Sequence, residues 1–203
     1  MVAASNTSSL LKGGVIAGAL FFAITIIEIF ARPGFDIERH AISMLSLGPR
    51  GWVMKACFIA SGLLVLRCAL GLRRASGRIA GPALIALYGA GLILAGLFDA
   101  PPGLGFPPGT ALEQQPVMTS GAVIHSVAFM LAFGSLIVAC VVYAFSLWRE
   151  RARGAAMLSL LAGVAIPMLI QLGMATTIKT GLAFYLAAML AWVWLGWIAL
   201  RHR

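Results

Sequence analysis

Six long apolar runs, separated by short polar stretches, constrain this chain more than any other feature. They cover about residues 13–31, 53–71, 80–98, 120–148, 155–176 and 180–200. A helix needs about 20 apolar residues to cross a hydrocarbon layer roughly 30 Å thick. The chain has 203 residues, of which 61% are hydrophobic and 10% charged, and its mean hydropathy is +0.99. A soluble domain of this length has too little interior to bury that much apolar surface. Lipid has to bury it instead. The expected fold class is therefore an all-α integral membrane protein, a six-transmembrane-helix bundle forming a single domain over residues 1–203.

The first run follows Lys12 and resembles a secretory leader in position. Its apolar part is too long for a leader's apolar region, so it reads as a retained helix. Residues 1–11 read as a frayed polar end. Between residues 99 and 119, Pro101, Pro102, Pro107, Pro108 and Pro116 rule out a continuous helix. Cys57, Cys68 and Cys140 all lie within apolar runs. They read as small buried hydrophobes rather than a disulfide framework.

The charges divide by loop. Lys12, Arg73, Arg74, Arg78, Arg149, Arg151, Arg153, Arg201 and Arg203 fall on one side of a six-span topology. Glu28, Asp36, Glu38, Asp99 and Glu113 fall on the other. The excess of basic loops predicts that both termini are cytoplasmic and that the protein lies in the inner (plasma) membrane. The formal charge of +9 then reflects topology, not nucleic-acid binding.

Chemistry concentrates on the acidic side. The stretch 32–52 puts Asp36, Arg39, His40 and Ser43 between two apolar runs. Every span also offers a polar group near that same level: Glu28, Lys55, Asp99, His125, Gln171 and Tyr185. Ionisable groups below the headgroups are costly and usually face a bundle interior or a wet cavity. A polar cavity is expected here, lidded by the stretch 32–52 and the proline-rich loop. Asp99, His125, His40 and Ser43 form the candidate catalytic set, two imidazoles and a carboxylate for proton transfer beside a hydroxyl. Glu28, Asp36, Arg39, Gln171 and Tyr185 are the candidate substrate-binding groups. His40, Asp99 and His125 could alternatively ligate a metal, although no recognised metal spacing is present. The cofactor, if there is one, and the oligomeric state are not legible.

If 35–47 forms one short helix, Asp36, Arg39, His40 and Ser43 share a face. Asp36 and Arg39 then pair with each other, or with Glu28 or Asp99, to hold the lid. Trp148, Trp192, Trp194 and Trp197 suggest an aromatic belt or core packing on the basic side. Pro167 marks an expected kink in the fifth span.

The stretch Arg32-Pro-Gly-Phe-Asp36, Arg39-His40, Ser43, Leu45, Leu47-Gly48-Pro49 and Gly51-Trp52 resembles the signature of a bacterial membrane family catalogued as domain of unknown function 998. Gly96-Leu97-Phe98-Asp99, and the segment from Gly121 to His125, are similar to the family's next landmarks. The resemblance implies six spans and assigns no activity. The functional expectation is a membrane-embedded enzyme acting on a lipid or isoprenoid-like substrate. The alternatives are a non-catalytic lipid or small-molecule binder or transporter, and a structural membrane partner. Membrane lipids and a hydrophobic small molecule are the expected partners.

Overall fold

The computed structural model describes residues 2–175 and 179–203. It contains six α-helices: α1 (Val2–Ala31), α2 (Gly51–Ser76), α3 (Ala80–Leu97), α4 (Ser120–Arg149), α5 (Arg153–Ala175) and α6 (Thr180–Arg201). All six are long and apolar enough to cross a membrane. Among the described residues there is no strand, only an isolated bridge between Gly103 and Phe106. The protein is a multi-pass, all-helical membrane protein.

The helices match the apolar runs closely. The largest difference is at α1, which begins at Val2. Residues 2–11, expected to be frayed, therefore extend the first helix. Thr176, the last residue of the expected fifth span, lies outside the described residues.

Successive spans of a membrane cross in opposite directions, so consecutive helices run antiparallel. Each helix here contacts its neighbours in sequence, and α6 returns to α1, closing a ring. Small residues set the spacing. A Cβ on Gly62 of α2 would lie 2.6 Å from the Gly89 carbonyl oxygen of α3. A Cβ on Gly89 would lie 2.9 Å from the Gly62 oxygen. The two backbones touch, and no side chain fits between them. Gly91 repeats the device against Ala132 of α4, where a Cβ would stand 2.8 Å from the backbone nitrogen.

The middle of the ring is filled largely from α6. Trp192 packs on Phe21 and Tyr88, with ring centroids 5.4 and 5.5 Å away. Trp194 packs on Tyr143 at 5.8 Å and donates its Nε1–H to Ser159 Oγ at 3.1 Å. Indole nitrogens in an apolar interior need such a partner. Trp192 and Trp194 thus belong to the core, whereas Trp148 lies exposed on the helix surface. The three cysteines are buried and free. Outward-facing positions carry Met130, Phe145, Leu161 and Val193, all exposed. Such a surface suits lipid, not water.

The two ends of the bundle differ. The basic end carries the N-terminus, the Arg73–Arg78 and Arg149–Arg153 turns and the C-terminal tail. The other end is capped by the stretch 32–50 and the loop 98–119. Only one part of the stretch is helical, a 3-10 turn at Ile42–Ser46. The expected continuous helix over 35–47 does not form. The Asp36 carbonyl accepts from the amides of Arg39 and His40 in a tight turn, and Ala41 is extended. The turn seats directly on the start of α6. A Cβ on Gly181 would fall 2.1 Å from the His40 carbonyl oxygen, so only glycine fits there.

Candidate ligand cavity under the capped end

The cap is held by a buried charge cluster. Glu28 is fully buried near the end of α1. Its Oε2 accepts from Arg32 Nε at 2.8 Å. Its Oε1 accepts from Arg50 Nε and Nη2 at 3.0 and 2.8 Å. Arg32, also buried, spends its other nitrogens on backbone oxygens of the cap, donating to Leu47 O at 2.8 Å and to Leu45 O. A carboxylate out of water needs such compensation. The hydrogen bonds and charge of Glu28 push the Arg50 guanidinium still higher than its ordinary pKa. This cluster ties the last turn of α1, the cap and the N-cap of α2 together.

His40 joins the cap to the proline-rich loop. Its Nδ1 accepts from the Asp36 amide at 2.9 Å. Nε2 therefore carries the proton, which it gives to the Leu104 oxygen at 3.0 Å. The ring lies between Phe35 and Phe106, with centroids 5.4 and 5.3 Å away. Phe106 is the centre of a second small core with Met44, Leu47 and Ala100. Ser46 Oγ accepts from the Ala100 amide at 3.3 Å, a further tie.

Beneath this roof lies a cavity of about 590 Å³. Its roof includes Ala41, Ile42, Ser43 and Pro101. Its walls include Phe21, Leu92, Phe129, Phe133 and Trp192. It reaches the surface between α4 and α5, where the lining residues Met130, Gly134, Gln171 and Met174 are exposed. Pro167 lines the same side, and α5 runs through it without interruption. A proline there removes one helical N–H, leaving the carbonyl four residues earlier without its usual donor.

Among the described lining residues none is charged. The polar ones are Ser43, Tyr88, His125, Ser126, Gln171 and, through its indole N–H, Trp192. His125 Nδ1 lies 3.0 Å from both the Ala95 and Phe98 carbonyl oxygens. Carbonyls only accept, so Nδ1 carries the proton and Nε2 keeps a lone pair. No hydrogen-bond partner meets Nε2 among the described residues.

Of the sequence candidates, Ser43, His125 and Gln171 line the cavity. The others do not. Asp99 stands at the end of α3, half exposed, in an ion pair with Lys55 at 2.7 Å. His40 is a strut with both ring nitrogens occupied by backbone. The four-residue catalytic set is therefore not assembled. The metal set of His40, Asp99 and His125 is not assembled either. Among the described residues no three His, Cys, Asp or Glu side chains come together to hold an ion. Glu28 and Tyr185 do not reach the cavity. Glu28 serves the cap, and Tyr185 packs against the main core.

Asp36 and Arg39 lie on the outside of the cap and form no ion pair with each other, with Glu28 or with Asp99. Instead Asp36 Oδ1 accepts from the Glu38 amide at 2.9 Å. The cavity is also mainly apolar where a polar one was expected, because each charged group of this end is turned into the cap or out to its surface.

Sequence reasoning missed the pairing of Arg32 and Arg50 with Glu28 and the parts played by Phe106 and Ser126. Arg32, four residues after Glu28, was signalled by helical spacing. Arg50, 22 residues from Glu28, had no local signal.

Six spanning helices in a ring, a pinned cap and an apolar cavity open to the side define a small polytopic membrane protein built around an internal cavity. Its family is shown by sequence. Residues 15–201 match the family described as protein of unknown function DUF998, and the chain belongs to that family. No curated protein and no solved structure matches it.

Proposed function

We propose that this protein binds a lipid or isoprenoid-like molecule in the cavity under its cap, admitting it sideways from the bilayer between α4 and α5. The observation that carries this reading is the cavity itself: about 590 Å³, mainly apolar, roofed on the capped end and open on a lipid-facing side. Volumes in that range suit small-molecule sites, and an apolar space beside acyl chains selects an apolar guest. The basic end faces the cytoplasm in this reading, and the cap faces the outer side of the plasma membrane, because basic loops are retained inside.

A second reading, an enzyme acting on the same guest, is favoured by His125. An imidazole with Nδ1–H fixed by two carbonyls and Nε2 free is oriented as a general base. Ser43 offers a hydroxyl in the roof of the same cavity. Asp99 and His40 have no part in this reading.

The test is a thermal-unfolding series on the purified protein with added lipid extract. A ligand that binds the folded state raises Tm by mass action. Ala188 lines the cavity, and Ala188→Phe fills part of it. The expected result is a lipid-dependent rise in wild-type Tm that Ala188→Phe abolishes. An equal rise in both proteins contradicts the cavity reading.

A further inference from the structure

We infer that the guest is a neutral lipid bearing a hydroxyl, such as a long-chain alcohol, and not the corresponding phosphate or carboxylate. This rests on the reading that the cavity holds a lipid-like molecule, and it adds the chemistry of that molecule's polar end.

Two neighbouring polar groups of the cavity, on His125 and Ser126 of α4, are fixed as acceptors. The Nδ1–H of His125 is shared between the Ala95 and Phe98 oxygens, so Nε2 presents only a lone pair. The hydroxyl hydrogen of Ser126 is given to the Ala122 oxygen at 2.9 Å, so its oxygen also presents lone pairs. Ser43 and Tyr88 carry hydroxyls that rotate to give or to accept, and Gln171 at the mouth offers both functions. Trp192 adds an indole N–H donor to the lining. A ligand that satisfies His125 and Ser126 has to supply a donor.

Ionised phosphate and carboxylate supply acceptors only, together with negative charge. Burying that charge requires a cation. None of the described lining residues carries one. Arg32 and Arg50 of this end are held by Glu28, and Lys55 is held by Asp99. A protonated amine would supply donors, but it lacks a lining carboxylate to pair with. An anion could pair only with a protonated His125, and burying both ions among apolar walls costs more than their attraction returns. What remains is a neutral donor, a hydroxyl.

The positions agree. His125 and Ser126 stand in the second turn of α4, and Ser43 is in the roof, so these three groups lie at the capped end of the cavity, with Tyr88 deeper, midway along α3. Phe129, Phe133 and Ile137 continue below them along α4. At about 30 Å³ per water-sized group, the cavity holds on the order of 20 such groups. That accommodates the head and the first part of a chain. A longer chain leaves through the opening past Met130 and Gly134.

The experiment uses the purified full chain and three diazirine-bearing probes of one chain length: an alcohol, its phosphate monoester and the carboxylic acid. The alcohol is expected to label α4 and α5 peptides. Unlabelled alcohol should compete better than phosphate or acid by about tenfold or more. Ser126→Ala, which removes one acceptor and leaves the helix intact, should weaken alcohol labelling by about fivefold. His125→Phe should weaken it further, and unchanged helical circular dichroism checks that the variant is folded. Phosphate or acid competing as well as the alcohol overturns this inference and leaves the cavity reading standing. Alcohol labelling unchanged in Ser126→Ala and in folded His125→Phe overturns the inference as well. Failure of all three probes to label α4 or α5 overturns the cavity reading together with it.

Discussion

Among single residues, Glu28 has the greatest structural consequence. An acid in the last turns of an apolar helix reads on its own as a substrate-binding group. The neighbours decide otherwise. Arg32 and Arg50 close on it, and its carboxylate is almost fully buried, with a side-chain exposure of 1%. Glu28→Ala would strand the buried Arg32 guanidinium. Breaking a buried pair from one side costs about 3–5 kcal/mol, so Tm in detergent should fall steeply. Asp36→Ala is the contrasting variant. Asp36 is exposed, and its carboxylate holds one local amide, so the loss should stay under about 1 kcal/mol. Equal losses in the two variants would contradict this assignment. The same comparison separates what sequence could deliver from what it could not. The i, i+4 pair of Glu28 and Arg32 was legible from spacing. The Arg50 contact depends on how the cap folds back over α1, and the His40–Leu104 tie spans 64 residues. No local pattern encodes either one.

At the scale of elements, the helices were legible because hydrophobicity of spanning length has one structural outcome in lipid. Their ends agreed to within a few residues except at α1, where a weakly apolar N-terminal segment continues the helix. The cap was misread because an Asp36–Arg39–His40–Ser43 spacing fits a helix as well as a turn. The extended backbone at Ala41 and the anchoring of the Leu45 and Leu47 oxygens by Arg32 select the turn. Packing between helices makes its own prediction. Gly89→Ala sets a methyl 2.9 Å from the Gly62 carbonyl oxygen, which forces α2 and α3 apart. The expected cost is about 1–3 kcal/mol, read as a lowered Tm. A Cβ on Gly134 meets nothing within 4 Å, so Gly134→Ala should leave Tm unchanged or raised. If Gly89→Ala is as well tolerated as Gly134→Ala, the close α2–α3 approach is wrong.

For the whole molecule, charge and cavity divide the two ends. At the capped end five acids (Glu28, Asp36, Glu38, Asp99 and Glu113) meet five bases (Arg32, Arg39, Arg50, Lys55 and Lys179), so the net charge of +9 resides at the other end. One ion pair there, Arg78–Glu150 at 2.7 Å, is half exposed and contributes little. In the proposed topology the remaining cations face the cytoplasm. A cysteine placed at Glu113, exposed in the loop 98–119, should react with an impermeant thiol reagent from outside the cell, and one at Ser76 should not; the opposite pattern reverses the topology. Replacing Arg73, Arg74 and Arg78 together with Gln should disturb that orientation. The cavity was legible only as a level at which polar groups gather. Its apolar walls, its roof and its side opening arise from which helix faces meet when the ring closes, and no single helix carries that information.

The proposed lipid-like guest sits in the cavity under the cap and enters between α4 and α5. Native mass spectrometry of the protein released from mild detergent reads its presence without a probe. A retained adduct of defined mass is expected on the wild type. That adduct should disappear in Ala188→Phe and persist in Leu186→Phe, where the added bulk points from an exposed position on α6. A bare wild-type protein, or an adduct equally retained by both variants, would contradict the cavity reading.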